Sequence, residues 1–111
     1  MEKKMVFISV PMSGKDETII ERSIQLAKHW YLSATKQNVK DVAFYDNFKG
    51  CREEDFTNLK HEALGYLSKA ILNLGKCDEA VFGKGWQNAR GCKIEKKICD
   101  YYGIKEYVMV E

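Results

Sequence analysis

Several features that would assign this chain to a specialised class are missing from its 111 residues. No apolar run approaches the ~20 residues that a membrane-spanning helix needs. Pro11 is the only proline, and there is no low-complexity tract or internal repeat, so a chain of this length predicts one domain, residues 1–111, around a single core. The apolar stretch after the first four residues ends at Pro11, Ser13 and Gly14, too early for a signal peptide, and we therefore expect a cytosolic protein.

Clusters of one charge and metal-ligand spacings are missing as well. The 18 basic and 16 acidic residues are well mixed along the chain, whereas nucleic-acid binders usually show a basic stripe, so neither a nucleic acid polymer nor a membrane is expected as a partner. Lys93, Lys96 and Lys97, the densest basic group, fit a solvated helix face. The four cysteines form no Cys-x-x-Cys, and both histidines lie far from them, so we expect reduced thiols, no metal site and no cofactor.

The apolar residues predict alternating strands and helices. Four short, nearly continuous apolar runs are typical of strands covered on both faces: 5–10, 41–45, 79–82 and 107–110. Apolar residues at three- and four-residue spacing predict helices over 16–34, 58–74 and 88–102, with Gly103 as the C-cap of the last. This order predicts an α/β fold, a small doubly wound sandwich of the flavodoxin or Rossmann kind, with a four-stranded parallel sheet and helices on both faces.

Two unusual loops point to a site in such a fold. If the strand order is 2-1-3-4, a crevice opens at the carboxyl ends of strands 1 and 3. The loops that would border it are "PMSG" at 11–14 and "GKGWQNARG" at 83–91. A third loop, 46–57, is polar and has a length that is often functional in a small domain.

Glu95 occupies an unexpected side of the last predicted helix. On a helical wheel at ~100° per residue it falls in the apolar half, between Gly91 and Cys99. A buried carboxylate is costly, so Glu95 either pairs with an arginine or backbone N–H groups, or lines a cavity. Gly91, four residues earlier, leaves room for a ligand above it, and a carboxylate in a partly apolar pocket could act as nucleophile or general base.

The segments "VFISVPMSG" and "CDEAVFGKGWQNARGCKIEKKICDYYGI" resemble the nucleoside 2-deoxyribosyltransferase-like superfamily. The most similar pattern, P-M-S/N-G followed by G-W-x-x-A/S-R-G-C/A-x-x-E, belongs to its small bacterial and phage branch. The resemblance covers both ends of the chain and the order of elements, while residues 36–60 match only loosely. In characterised relatives the glutamate of the last motif attacks C1′ of a 2′-deoxynucleoside, expels the base and passes the sugar to another base or to water. The resemblance therefore implies that Glu95 is the nucleophile, in a chemistry similar to that of retaining glycosidases.

The resemblance also implies a set of substrate-binding residues around a nucleoside or nucleotide. The first loop would border the base or sugar, with Ser9 and Ser13 as hydrogen-bonding groups. Trp86 would stack on the base, and Arg90 with backbone N–H groups at the helix start would hold a phosphate. The candidates are Ser9, Pro11, Met12, Ser13, Gly14, Asp46, Asn47, Trp86, Arg90 and Gly91.

Each assignment has a structural alternative. The "PMSG" loop fits a simple tight turn, Trp86 fits packing against a neighbouring loop or subunit, and Arg90 fits an ion pair with Glu95 or a place in solvent. Asp78, at the start of strand 3, is better explained as a local cap than as a catalytic acid.

Two positions depart from the pattern of active relatives. Ala70 stands where they usually carry an aspartate that orients the sugar, and Ala89 stands where nucleotide-hydrolysing relatives carry a phosphate-binding serine. Asp46 and Asn47 could partly compensate from across the crevice. The sequence thus leaves three hypotheses: an N-glycosidase or deoxyribosyltransferase, a catalytically inactive module that sequesters a nucleotide, and an interaction protein that uses the fold as a scaffold.

Assembly is a further expectation from the resemblance, since relatives complete their pockets with residues of a neighbouring subunit. We therefore expect a homodimer or higher homo-oligomer. The aromatic residues that could supply the interface fit the core equally well. They are Trp30, Tyr31, Tyr66 and Tyr102.

Overall fold

Strands and helices alternate in the predicted order. The computed structural model describes residues 2–46 and 56–109. The strands are β1 Lys4–Ser9, β2 Val42–Asp46, β3 Glu79–Phe82 and β4 Lys105–Val108, and the helices are α1 Glu17–Thr35, α2 Glu62–Leu74 and α3 Arg90–Tyr102. The four strands are parallel in the order β2-β1-β3-β4, which confirms the predicted α/β fold and its strand order.

The helices cover both faces of the sheet. Side chains alternate along β1, so Val6 and Ile8 pack on one face with residues of α1, while Phe7 packs on the other with residues of α2 and α3. Ser9 shares the face of Phe7 by the same alternation. This arrangement confirms the prediction of helices on both faces. No helix in the described ranges is long and apolar enough to cross a bilayer.

Several predicted boundaries move by a few residues. Helix α2 begins at Glu62 rather than at residue 58, because the chain before it turns, with the Leu59 N–H donating to the Phe56 carbonyl at 3.0 Å. Strand β4 begins at Lys105 rather than at residue 107. Lys105 lies opposite Glu79 of β3, and a charged residue at a strand end gives no apolar signal in the sequence. Gly103 ends α3 with a φ of 70°, a left-handed conformation that glycine adopts without strain, as predicted. Most of the predicted loop 46–57 lies outside the described residues.

Acidic residues near the start of β3 have structural roles. The buried Glu79 carboxylate accepts hydrogen bonds from the Tyr31 hydroxyl at 2.5 Å and from the Lys4 ammonium at 3.3 Å. The Asp78 carboxylate accepts from the Met5 N–H at 2.8 Å, which agrees with the prediction of a local cap. Tyr31 is fully buried in this network and in the core, so it does not supply an interface.

Candidate active site

An open cleft of about 1360 Å³ lies at the carboxyl ends of β1 and β3. β2 lies on one side of β1 and β3 on the other, so the connections that follow β1 and β2 run in opposite directions across the sheet. Parallel α/β sheets place their ligand crevices at this point. The cleft is lined by the loop after β1, the loop after β3 and the first turns of all three helices. Its volume is sufficient for a ligand of nucleotide size.

Glu95 lines this cleft from the inner face of α3 and is only 7% exposed. The Ser9 hydroxyl donates a hydrogen bond of 2.6 Å to Glu95 Oε1. Burial raises the pKa of the carboxyl group from 4.5 to about 7, and the Ser9 hydrogen bond opposes part of that rise. The predicted inward position of Glu95 is thus confirmed, and its partner is a serine hydroxyl rather than an arginine.

Cys92 lies one helical turn before Glu95 and faces the same cleft. Its thiol is buried and within hydrogen-bonding reach of the Ser9 hydroxyl. Burial, and to a smaller extent the Glu95 carboxylate, raises the pKa of the thiol to about 11, although Ser9 lowers it. The Cys92 side chain therefore stays protonated near neutral pH, where it is a poor nucleophile.

The loop after β1 forms a tight turn and also borders the cleft. The Lys15 N–H donates to the Met12 carbonyl at 3.1 Å, and Gly14 has a φ of 76°, which glycine adopts without the strain that a side chain would bring. Pro11, Met12 and Ser13 line the cleft, whereas Gly14 does not. The two interpretations of "PMSG", a turn and a site loop, are therefore compatible.

The start of α3 presents an open, positively charged edge to the cleft. Arg90 and Gly91 both line it, and a Cβ added at Gly91 would meet no atom of the described residues within 4 Å. The N-cap residue, Ala89, has no side-chain oxygen with which to cap the helix. Arg90 is exposed and forms no ion pair with Glu95, which removes one of the alternatives for both residues. A phosphate at this edge stays a prediction.

Two other candidates, Trp86 and Asp46, do not line the cleft. The Trp86 ring packs on Phe82 of β3, with 5.8 Å between ring centroids, and Lys96 of α3 lies over the indole. Trp86 therefore packs against the sheet and α3 rather than against a loop, and it is not placed to stack on a ligand in the cleft. Asp46 borders a separate shallow depression along α1. Asn47 lies outside the described residues. The suggested compensation by Asp46 from across the crevice thus has no geometric support.

Apolar walls of the cleft are the main feature that the sequence did not predict. Leu64 and Leu67 belong to the apolar spacing that predicts the second helix, yet both line the cleft, and Leu64 is 58% exposed. Hydrophobic periodicity indicates which way a side chain faces, but not whether a neighbouring element covers it.

Metal and family comparisons add no further assignment. Within residues 2–46 and 56–109, no group of three or more His, Cys, Asp or Glu side chains is arranged to hold a metal ion. Comparisons of the chain with protein-family models, with curated proteins and with solved structures each gave no match.

Proposed function

We propose that the protein binds a nucleoside or nucleotide in the cleft and cleaves or transfers its N-glycosidic bond, with Glu95 as the nucleophile. One observation carries this proposal: a nearly buried carboxyl group, with its pKa raised to about 7, lines an open cleft at the carboxyl edge of the sheet. Perturbed carboxyl groups in clefts are typical of catalytic sites. The resemblance of the segments that border the cleft to the nucleoside 2-deoxyribosyltransferase-like superfamily supports the same role.

The chemistry uses the ionised form of Glu95. A carboxylate oxygen forms a bond to C1′ of the sugar while the C1′–N bond breaks, and the bonding electrons leave with the base, which takes a proton from water. Water or a second base then attacks C1′, the ester bond to Glu95 breaks, and the carboxylate is regenerated as the attacking group loses its proton. Retaining glycosidases capture sugar centres by the same double displacement.

The lining of the cleft suits a ligand with an apolar part and an anionic part. Met12, Leu64 and Ile94 provide surfaces on which a nucleobase could pack. Lys15, Lys84 and Arg90 also line the cleft, so a phosphorylated ligand would find positive charge there.

Chromatography of 2′-deoxynucleosides, their monophosphates and dinucleotides such as NAD, incubated with the protein, tests the proposal. Free base should appear with the parent protein and fall by at least ~10³-fold with Glu95→Gln, because the amide cannot form the covalent intermediate. Glu21→Gln, an exposed position on α1 outside the cleft, is the matched control and should release base at the parent rate. Base release that is equal in the parent protein and Glu95→Gln would refute the role of Glu95.

The pH dependence of that activity is a second test. The carboxylate is the reactive form, so kcat/KM should rise with pH and level off above about 7, following the raised pKa of Glu95. Below pH 7, the logarithm of kcat/KM should rise with pH with a slope of about one, as expected for the ionisation of a single group. An activity that is already maximal at pH 5 would contradict the assignment.

A binding protein without turnover is the second candidate. Ala70 and Ala89 both line the cleft, at positions where active relatives place an aspartate and a serine. Neither methyl group can orient a sugar or donate to a phosphate. If the protein binds without turnover, one compound of the panel should be recovered intact on the protein after long incubation. If no compound raises the melting temperature, the scaffold hypothesis replaces both candidates.

We further propose a cytosolic homo-oligomer. Tyr102 is 79% exposed, and Tyr66 and Leu64 expose apolar surface on α2. Such side chains are enriched in interfaces. Light scattering at micromolar concentration should give a dimer or larger species, and a monomer would refute this assembly.

A further inference from the structure

Ser9 is the polar residue that closes the apolar strand β1. It is 2% exposed, and its hydroxyl donates to Glu95 Oε1 at 2.6 Å, joining the end of β1 to the second turn of α3. Ser9 lines the cleft, but the proton of its hydroxyl is already donated to the carboxylate and is not free for a ligand, the role that the resemblance implies. Its position suits control of the carboxyl group instead.

The hydrogen bond distinguishes the two oxygens of Glu95. Oε1 is held by Ser9, while Oε2 makes no hydrogen bond with the described residues, although the carboxyl group lines the cleft. Cys92, whose thiol is within hydrogen-bonding reach of the same hydroxyl, is buried and stays protonated near neutral pH. The carboxyl group is therefore held through one oxygen, and the other is left for a reacting atom.

We infer that Ser9 is a positioning residue, which fixes Glu95 through Oε1 so that Oε2 is the oxygen that attacks C1′. This inference rests on the proposed function and extends it to a residue that touches the nucleophile rather than the ligand. Pre-orientation of a reacting group by a hydrogen-bonding neighbour is a recurrent source of catalytic rate. The serine donates to the carboxylate and neither gains nor loses a proton in the reaction.

Among the described residues, few other groups can influence the ionisation of Glu95. The other charged or titratable side chains of residues 2–46 and 56–109 that line the cleft are Lys15, Glu17, His61, Lys84, Arg90 and Cys92. The pKa of Glu95 is governed by its burial and by the Ser9 hydrogen bond, and none of these residues adds to those causes. A change at Ser9 should therefore appear directly in the Glu95 titration.

Carbon-13 NMR of protein labelled at the glutamate carboxyl carbons measures that titration, with Glu95→Gln identifying the signal. In Ser9→Ala the pKa of Glu95 should rise above its parent value by about one to two pH units, because the carboxylate loses a charge-assisted hydrogen bond. Ser9→Thr, which keeps the hydroxyl, should restore most of the difference. Ser13→Ala, a serine in the same cleft without contact to Glu95, should leave the titration unchanged.

Kinetics on the same variants separate a positioning role from a structural one. Ser9→Ala should lower kcat by about 10- to 100-fold, in line with the loss of a hydrogen bond to a charged group, while KM changes little. A Glu95 titration that is the same in Ser9→Ala and the parent protein overturns the positioning role. The positioning role is also overturned if Ser9→Ala changes the pKa of Glu95 but leaves kcat unchanged. If the parent protein releases no base, the proposed function fails by itself, and with it the purpose inferred for Ser9, whereas the titration still reports whether Ser9 holds the carboxylate.

Discussion

The ionisation of Glu95 should make the stability of the fold fall as pH rises, and Glu95→Gln should remove that fall. The pKa of the carboxyl group is 4.5 when unfolded and about 7 when folded. Below pH 4.5 both states are protonated, and this group adds no pH dependence. Between 4.5 and 7 the folded state binds a proton that the unfolded state has released, so the free energy of unfolding decreases with pH. Above 7 both states are ionised, and the fold must accommodate a buried charge.

The size of the effect follows from the two pKa values. The rise from 4.5 to about 7 corresponds, at 1.36 kcal/mol per pH unit, to about 3 kcal/mol of stability lost between pH 4.5 and pH 8. Glutamine has nearly the same shape, and its amide oxygen can accept the hydrogen bond from Ser9. The variant therefore keeps the packing and loses only the titration.

Urea unfolding at half-unit steps from pH 4.5 to pH 8.5 measures the difference between the two proteins. Because the pKa of the folded Cys92 thiol is about 11, this thiol stays protonated in the folded state up to pH 8.5. The free energy of unfolding of Glu95→Gln minus that of the parent protein should increase by about 3 kcal/mol over this range, with its steepest rise between pH 5 and pH 7. Glu21→Gln, exposed on α1, should show no such trend. A difference that is flat, or that decreases with pH, would refute the reasoning.

Two further predictions concern residues outside the Glu95–Ser9 pair. Tyr31→Phe should destabilise the protein by about 1–3 kcal/mol, because the buried Glu79 carboxylate loses the donor that contacts it at 2.5 Å. Tyr102→Phe, at an exposed position, should change stability by less than about 0.5 kcal/mol, and equal losses in urea unfolding would contradict the assigned roles. Gly91→Ala should raise stability by up to about 1 kcal/mol, because no described atom lies within 4 Å of the added methyl group and alanine favours the helix. The same methyl group should weaken binding of any ligand that enters at the start of α3, and a lower melting temperature would show that the space is not free.

The sequence predicts the fold well because each strand and helix carries a strong local signal. Residues 5–10 and 79–82 are nearly continuous apolar runs, and a sheet buried on both faces requires that pattern. The end of α3 could be predicted from Gly103, because glycine is the usual residue at the left-handed position that ends a helix. The strand order 2-1-3-4 is not contained in these local signals and enters as an assumption, from which the position of the crevice follows.

The site was predicted less completely because its geometry depends on long-range contacts. The inward position of Glu95 could be read from a helical wheel, since that is a local property of α3. Its partner could not, because Ser9 and Glu95 are 86 residues apart and meet only through the placement of α3 over β1. The position of Trp86 outside the cleft could not be predicted for a related reason. A single turn of 3₁₀ helix, Trp86–Asn88, directs the indole onto Phe82, and no periodicity reveals such a turn.

The same ionisation can be observed in stability and in activity, and the comparison decides whether Glu95 is structural or catalytic. A purely structural partner for Ser9 would be served as well by glutamine, which accepts the same hydrogen bond without the cost of a buried charge at neutral pH. A buried charge that lowers the stability of the fold is expected at a functional site rather than in the supporting core. If Glu95 is the nucleophile, the midpoint of the kcat/KM profile should coincide with the upper end of the stability transition, near pH 7. A midpoint elsewhere would assign the rate-controlling ionisation to another group, even if the stability transition is observed as predicted.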